Sequence, residues 1–224
     1  MQKETTVEQL KQESHLTMSK FAHEIRNPLA LITSELQLMS SSHPEITQYE
    51  TWDDILDNLE YIKELLNDLS SYNNADRVSP TMENPGKFLN TVLSGEKVTL
   101  DYLGIALETD IPTDLPPVPL DHVKMRQALL NLLRNAQEAI THSQGRIFVS
   151  LKPTEQGICI SIKDNGCGIS PEQLENIFTP FVTYKSQGTG LGLAVTRQII
   201  EAHHGHMEIS SKPGQGSEFR IFLG

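Results

Sequence analysis

The chain has 224 residues, and 18 lysine and arginine side chains against 29 aspartate and glutamate side chains give it a formal net charge of −11. Such an acidic chain offers no broad basic face for DNA or RNA. Its two cysteines, Cys159 and Cys167, exclude a disulfide framework. It has no apolar run that could span a bilayer and no apolar signal region at its start. We therefore expect a soluble cytoplasmic chain, or the soluble part of a longer one, made of one ordinary domain and a smaller one.

Residues 1–76 are predicted to form a helical hairpin. Apolar side chains recur at spacings of three and four residues, first along Met18, Phe21, Ile25, Leu29, Ile32, Leu36 and Met39. After a breaker at Ser40–Pro44, a second stripe runs along Trp52, Ile55, Leu59, Ile62, Leu66 and Leu69. Because one hairpin has little against which to bury its stripes, we expect two copies to form a dimeric four-helix bundle.

The rest of the chain has a different pattern. Residues 77–85 are polar and proline-containing, which predicts a linker. Residues 86–224 are expected to form an α+β domain, with strands paired as hairpins and helices on one face. Helices are predicted at Phe88–Leu103, His122–Ile140 and Leu191–His204, with Asp121 capping the second. Strands are predicted at Ile105–Ile111, Ile147–Leu151, Ile158–Ile162, Met207–Ser211 and Phe219–Leu223.

His23 is the first candidate for chemistry. It lies about 200° around the helix from Phe21 and Ile25, so it should face water if they face the bundle. The adjacent Glu24 could hydrogen-bond the imidazole and raise its basicity. Asn27 lies on the same helical face, and Pro28 should distort the helix by removing a backbone donor. A solvated histidine without a role is the alternative for His23 alone.

Three more patterns in the second domain suggest a ligand site. Asn131, Asn135 and Glu138 share one face of an otherwise apolar helix and offer oxygen atoms suited to Mg²⁺, although a plain polar face would look the same. Asp164–Ile169 follows a strand and contains two glycines, which fits either a flat ring near the backbone or a simple Asn-Gly turn. Gly188–Leu193 opens a helix, where free N–H groups favour phosphate. The long segment Ile177–Gln187 between them fits a mobile lid.

In their order along the chain, these patterns resemble the sensor histidine kinases of two-component systems. Phe21–Leu29 resembles the H-box of that family, and Asn131–Ala136 its N-box. Asp164–Gly168 looks like the G1 box, Phe178–Phe181 the F-box and Gly188–Gly192 the G2 box. Gly216–Phe219 is similar to a final element near the adenine. The residues Pro180–Thr183 and Gly190–Leu193 are most similar to the nitrogen-regulation and sporulation branch of the family. The resemblance implies that the ATP-binding domain is the Bergerat-type α/β sandwich that gyrase, Hsp90 and MutL share.

The resemblance implies a role for each matching residue. His23 would accept the phosphoryl group, Glu24 would act as general base and Asn27 would position water for dephosphorylating a partner. Asn135 would hold Mg²⁺, with Asn131 beside it, and Asp164 would bind the adenine amine of ATP. The remaining implied ATP-site residues are Gly166, Gly168, Lys185, Gly188, Thr189, Gly190, Leu191, Gly192 and Ser217. The implied partners are the receiver domain of a response regulator and a second copy of the chain.

One position departs from the family pattern, because Glu138 stands where some members carry a basic residue that reaches the phosphates. Lys185 or Arg134 could supply that charge instead. The resemblance also implies that any membrane attachment would come through a segment absent from this chain.

Other interpretations stay open at this stage. One is a catalytically weak nucleotide-binding scaffold or phosphatase of the same fold. Another is a DNA-repair or chaperone ATPase, which would need a catalytic glutamate near Asn131 and would leave the hairpin with His23 unexplained. His203, His204 and His206 could suggest a metal site, but a helix end followed by Gly205 explains them better. Cys167 is either redox-sensitive or a small filler residue.

Overall fold

A computed structural model describes residues 2–185 and 188–224, with side chains omitted for residues 2–17 and Ser19. Contacts divide the chain into two compact units. The first contains the chain up to Asn74 together with Thr183–Thr189. The second contains Ala75–Val182 and Gly190–Gly224.

The first unit is the predicted hairpin. Helix α1 covers Gln2–Ser42, a short 3₁₀ helix covers Pro44–Gln48, and α2 covers Glu50–Asn73. The guanidinium of Arg26 donates to Asn67 Oδ1 and Ser70 Oγ, each at 3.3 Å, and so links the two helices. The small core within one chain consists of Ala22, Leu29, Leu59 and Leu66, with Leu36 packed against it.

Much of the predicted apolar stripe is exposed in the single chain. The side chain of Phe21 is 63% exposed, and Ile25, Ile32 and Met39 are also exposed on α1. On α2 the same is true of Ile55. The hairpin thus leaves a long apolar surface uncovered, which is the property that led us to expect pairing with a second copy.

The second unit is an α/β sandwich built on a five-stranded sheet in the order β2-β4-β5-β7-β6. The strands are β2 (Ala106–Asp110), β4 (Arg146–Thr154), β5 (Gly157–Asp164), β6 (His206–Lys212) and β7 (Gly216–Leu223). The helices are α3 (Pro85–Tyr102), α4 (His122–Ala139), the short α5 (Pro171–Leu174) and α6 (Gly192–Ala202). A separate two-stranded sheet pairs β1 (Thr81–Glu83) with β3 (Val118–Leu120).

One face of the large sheet carries the core, as alternation in the sequence predicted. Alternate residues of β4, β5 and β7 are buried, namely Ile147, Val149, Leu151, Ile158, Ile160, Ile162, Phe219, Ile221 and Leu223. The helices α3, α4 and α6 pack against the sheet. Helix α4 contributes the fully buried Met125, Leu129 and Leu132. These contacts hold α4 and α6 side by side, which positions the candidate site.

Two features differ from the sequence-based expectation. Strand β2 pairs in parallel with β4, whereas we expected hairpins throughout. A parallel pair needs a crossover, and the connection through β3 and α4 supplies it. The segment 77–85, which we expected to be a linker, contains strand β1, because Thr81–Glu83 pairs with β3 across a long stretch of sequence. Such non-local pairing has no local signal.

Candidate functional site

His23 lies on the exposed surface of α1. Its neighbour Ala22 is 1% exposed and faces the hairpin core, while Glu24 and Asn27 are exposed like His23. Helix α1 continues through Pro28, whose missing N–H leaves the carbonyl of Glu24 without its helical donor. The sequence-based prediction that His23 faces water is therefore confirmed, and the carboxylate of Glu24 is adjacent to it in the chain.

Asp121 fixes the start of α4. Its Oδ1 accepts hydrogen bonds from the backbone N–H groups of Val123 and Lys124, at 3.1 and 3.0 Å, so the predicted cap is confirmed. Burial favours the neutral acid, but those N–H groups and that of Ser79 together hold the pKa of Asp121 below its ordinary value. The backbone N–H of Asp121 donates to Nε2 of the buried His203, whose Nδ1 donates to the carbonyl of Ile199. Both ring nitrogens of His203 thus serve the fold.

Helix α4 presents the polar residues of the candidate metal site. Asn131 and Asn135 are half-buried, and Glu138 is exposed, as is Arg134. The Asn131 amide nitrogen donates to the carbonyl of Gly192 at 3.1 Å and lies 3.4 Å from Thr196 Oγ1. Amide and carboxylate oxygens suit a hard cation such as Mg²⁺. Among the side chains that the structure describes, no group of three or more His, Cys, Asp or Glu residues could hold a metal ion.

Asp164 is the buried acidic residue of the second unit. Its side chain is 4% exposed at the end of β5, and its Oδ1 accepts from the backbone N–H groups of Gly166 (2.8 Å) and Ser217 (3.2 Å). Burial raises the pKa of Asp164, and the two N–H donors oppose that rise only in part. Because these two backbone groups bind Oδ1, Oδ2 is the carboxylate oxygen that they do not use.

The two glycines after Asp164 are crowded by the protein's own backbone. A Cβ at Gly166 would lie 2.4 Å from the carbonyl oxygen of Ala139, and one at Gly168 would lie 2.0 Å from that of Lys212. Gly168 also has a positive φ of 71°. At Gly166 a Cβ would meet the end of α4, and at Gly168 it would meet the end of β6. That the two glycines also allow a flat ring to approach the backbone stays a prediction. They set the path of the loop that carries Asp164.

Sequence reasoning missed Ser211, which ties this loop to the sheet. The Ser211 hydroxyl accepts from the backbone N–H of Ile169 at 2.8 Å and hydrogen-bonds with the carbonyl of Gly216 and the hydroxyl of Ser217, both at 3.0 Å. Ser211 stands on β6 with no glycine or acidic residue beside it. The pairing of β6 with β7, which places Ser211 opposite Ser217, is the signal that a sequence pattern lacks.

The start of α6 follows the predicted phosphate pattern. Leu191 occupies the N-cap, is fully buried and provides no side-chain hydrogen bond to the first turn. Helix N-termini without a side-chain cap favour anions. Gly190 has a φ of +70°, and its carbonyl accepts from the backbone N–H of Phe181, which itself has a φ of +65°. Phe181 and Gly190 therefore close the base of the loop predicted to be a lid.

The loop itself is divided between the two units. Lys185, Gly188 and Thr189 group with the hairpin unit, where the Thr189 hydroxyl donates to the carboxylate of Asp68 on α2 at 2.5 Å. Gly190, Leu191 and Gly192 group with the second unit. Ser186 and Gln187, which belong to the predicted lid, lie outside the described residues.

Within the second unit, two sets of predicted residues come together. Hydrogen bonds join Asp164, Gly166 and Ser217 at the end of β5. Hydrogen bonds from Asn131 join α4 to Gly192 at the start of α6. A buried carboxylate at the end of β5, and a helix start beside the amide of Asn131, are together suited to a nucleotide with its phosphates.

The comparisons with known proteins match both parts of the chain. Residues 16–77 match the His Kinase A (phospho-acceptor) domain, and residues 120–224 match the histidine kinase-, DNA gyrase B- and HSP90-like ATPases. Among curated relatives, the histidine-protein kinase AtoS of Escherichia coli is 32% identical over 92% of this chain. Sporulation kinase B of Bacillus subtilis is 32% identical over 90%. The chain spans 34% and 47% of those two proteins, respectively.

Solved structures agree with the fold. The catalytic domain of the histidine kinase ThkA has a TM-score of 0.58 and 31% identity, covering 65% of this chain and 95% of that one. Full-length ShkA in complex with AMPPNP has a TM-score of 0.72 and 22% identity, covering 92% of this chain and 44% of that one. The ATPase match supports ATP binding by the second unit. No described helix is both long and apolar enough to cross a membrane. By its two matched domains and these relatives, the chain belongs to the sensor histidine kinases of two-component systems.

Proposed function

We propose that this chain is an ATP-dependent protein-histidine kinase that phosphorylates its own His23. The observation that carries the proposal is the exposed His23–Glu24 pair on a helix of a chain whose second part has the ATPase fold. An exposed imidazole in the middle of a long helix contributes nothing to packing, and an adjacent carboxylate suits proton transfer. We assign residues 1–76 to phosphoacceptance and dimerisation, 77–85 to the connection and 86–224 to ATP binding.

In this proposal the adenine end of ATP binds at Asp164. Its Oδ2 accepts the exocyclic amine, while Gly166 and Ser217 hold Oδ1. Gly168 keeps the loop closed against Lys212. Because Oδ1 is already occupied, a base lacking the amine would leave the buried Oδ2 without a donor, which costs affinity.

The phosphate end would bind near α4 and α6. The backbone N–H groups at Gly190, Leu191 and Gly192 face a polyanion favourably at a helix start. Lys185, Gly188 and Thr189 would come from the lid, with Lys185 supplying positive charge to an otherwise acidic chain. Mg²⁺, held by Asn135 with Asn131 beside it, would neutralise charge on the phosphate oxygens.

The transfer step needs a ring nitrogen of His23 in line with the γ-phosphorus. That nitrogen forms the new N–P bond, the bond from the γ-phosphorus to the bridging oxygen breaks, and ADP leaves with the electron pair. The proton on the other ring nitrogen passes to Glu24, which leaves a phosphohistidine whose imidazole ring is neutral and whose phosphoryl oxygens keep their negative charge. Because the transition state is loose, positioning supplies most of the catalysis.

The phosphoryl group would then pass to an aspartate of a response-regulator receiver domain. Asn27 lies one turn after His23 and would position water to hydrolyse that aspartyl phosphate, which gives a second, phosphatase activity. Incubating the phosphorylated chain with a panel of receiver domains would test the transfer and identify the partner.

Labelling with [γ-³²P]ATP tests the kinase proposal. We expect His23→Gln to abolish labelling while ATP binding remains, because glutamine cannot attack phosphorus and lies outside the nucleotide unit. We expect Asn135→Ala to weaken Mg-ATP binding and thereby reduce labelling. Persistent labelling of the His23→Gln protein would refute the assignment of the phosphoacceptor.

A further inference from the structure

Asn131 and the start of α6 are joined by hydrogen bonds that the proposed catalysis does not explain. The Asn131 amide group faces the carbonyl oxygen of Gly192 at 3.1 Å. A carbonyl can only accept, so the end of the amide that faces it must be the nitrogen. The oxygen end of Asn131 is consequently turned away from Gly192.

Thr196 is the second acceptor for the same amide. Its side chain is fully buried, and its hydroxyl donates to the Gly192 carbonyl at 2.9 Å. That donation directs the proton of the hydroxyl toward Gly192 and leaves a lone pair for Asn131 Nδ2, which lies 3.4 Å away. A threonine that bonds the carbonyl four residues back is common in helices. Accepting from a different helix is an additional role.

We propose that Thr196 is a positioning residue for nucleotide binding, acting through Asn131. Thr196 and Gly192 hold the amide nitrogen, so that the oxygen of Asn131 is presented toward the metal and phosphates. The inference rests on the proposed function, because it concerns the ATP site of that kinase. It adds a residue outside the glycine-rich pattern and links the two polar elements on α4 and α6.

The same three groups align the two helices. Asn131 lies on α4 four residues before Asn135, and Gly192 is the first residue of α6. A shift of α6 along α4 would break the Asn131–Gly192 bond. A fixed Asn131 therefore keeps the start of α6 in register with the amides of α4, which is what binding a metal and phosphates together requires.

Matched variants at Thr196 test this role in the whole chain. Thr196→Val keeps the shape and removes the hydroxyl, whereas Thr196→Ser keeps the hydroxyl and removes a methyl group. We expect Thr196→Val to weaken Mg-ATP binding about 3- to 10-fold, the effect of losing one hydrogen bond. Thr196→Ser should restore binding to within about twofold. In autophosphorylation, Thr196→Val should raise KM for ATP and leave kcat unchanged, because the reacting groups are untouched.

A double-mutant cycle with Asn131→Ala tests whether Thr196 acts through Asn131. If it does, adding Thr196→Val to Asn131→Ala should change ATP affinity no further. Asn131→Asp offers a second approach if Thr196→Val does not fold. Because a carboxylate cannot donate a hydrogen bond to the Gly192 carbonyl, this variant should also bind Mg-ATP more weakly. Calorimetric titration with Mg-ATP and thermal melting of each variant supply both readouts.

Three outcomes would overturn the inference. The first is a Thr196→Val chain that binds Mg-ATP as tightly as the unmodified chain. The second is an additive effect of Thr196→Val and Asn131→Ala on ATP affinity. The third is an Asn131→Asp chain that binds normally. If the unmodified chain binds no ATP, the proposed function is wrong, and so is the role of Thr196. If the unmodified chain binds ATP and Thr196→Val binds it equally well, only the role of Thr196 is wrong.

Discussion

At the scale of single residues, the adenine-binding role proposed for Asp164 would oppose stability. Its carboxylate is buried with two backbone donors and a pKa raised above the ordinary value. A raised pKa means that ionising Asp164 costs more in the folded chain than in the unfolded chain. The folded state is therefore penalised above that raised pKa, and the penalty disappears as the pH falls to the ordinary range of an aspartate.

Asp164→Asn should separate the two effects. Asparagine can still accept from Gly166 and Ser217, so the variant should melt at a higher temperature than the unmodified chain at pH 7. The difference should shrink toward pH 4. Adenine binding should weaken on the order of 100-fold or more, because an amide nitrogen would face the amine of the base. Melting curves at several pH values and ATP titration measure both, and a variant that binds ATP normally would contradict the assignment of Asp164.

At the scale of elements, the loop between Phe181 and Gly190 is defined by its base. Both residues have left-handed φ angles, and one hydrogen bond joins their backbones. A left-handed conformation costs a residue other than glycine about 1–2 kcal/mol, so Phe181 carries strain that the surrounding structure must hold. The hinges of mobile lids are formed by a few residues of this kind at the ends of a loop.

Two neighbouring glycines give a matched test of this loop base. A Cβ at Gly190 would lie 2.6 Å from the Phe181 carbonyl carbon, whereas one at Gly192 would lie 3.8 Å from Asn131, an ordinary contact. We expect Gly190→Ala to lower the free energy of unfolding by about 2 kcal/mol or more and to weaken ATP binding. Gly192→Ala should stay within about 0.5 kcal/mol or be stabilising, because alanine favours helix. Urea denaturation of both variants is the measurement, and equal destabilisation would contradict this view of the loop.

The elements also show what sequence could and could not predict. Periodic apolar spacing predicted α1, α2, α4 and most strands, and Asp121 marked the start of α4, because those signals are local. The parallel pairing of β2 with β4 and the pairing of β1 with β3 join distant segments, so no local pattern announces them. Asp164 and Asn131 stood out by residue type and resemblance. Ser211 and Thr196 did not, because their roles exist only once β6 lies beside β7 and α4 beside α6.

At the scale of the whole molecule, the hairpin should be the dimerisation element. Phe21, Ile32 and Ile55 leave apolar surface uncovered in one chain, and burying each such side chain contributes about 1.5–3 kcal/mol. Two hairpins packed as a four-helix bundle would cover that surface. An acidic chain with a net charge of −11 could pair in this way, because the surface that we expect to be buried is apolar rather than charged.

Light scattering tests the dimer. The unmodified chain should have twice the 25.0 kDa mass of one copy. Ile32→Glu together with Ile62→Glu should convert it to a monomer, because buried unpaired carboxylates oppose association. Ser34→Glu together with Gln37→Glu, which adds the same two charges at exposed polar positions of α1, should leave the dimer intact. A monomeric unmodified chain would contradict the four-helix bundle. So would a control variant that is as monomeric as the variant with both isoleucine substitutions.

The central claim is that His23 accepts the γ-phosphoryl group of ATP. Mass spectrometry of the chain after incubation with Mg-ATP, with digestion at neutral pH because phosphohistidine is labile in acid, locates the modification directly. We predict a single added phosphoryl group on the peptide that contains His23, and far less addition there in the Asp164→Asn chain at the same ATP concentration, because that variant should bind ATP on the order of 100-fold more weakly. A phosphoryl group on any other residue, or none on an ATP-binding chain, would contradict the account.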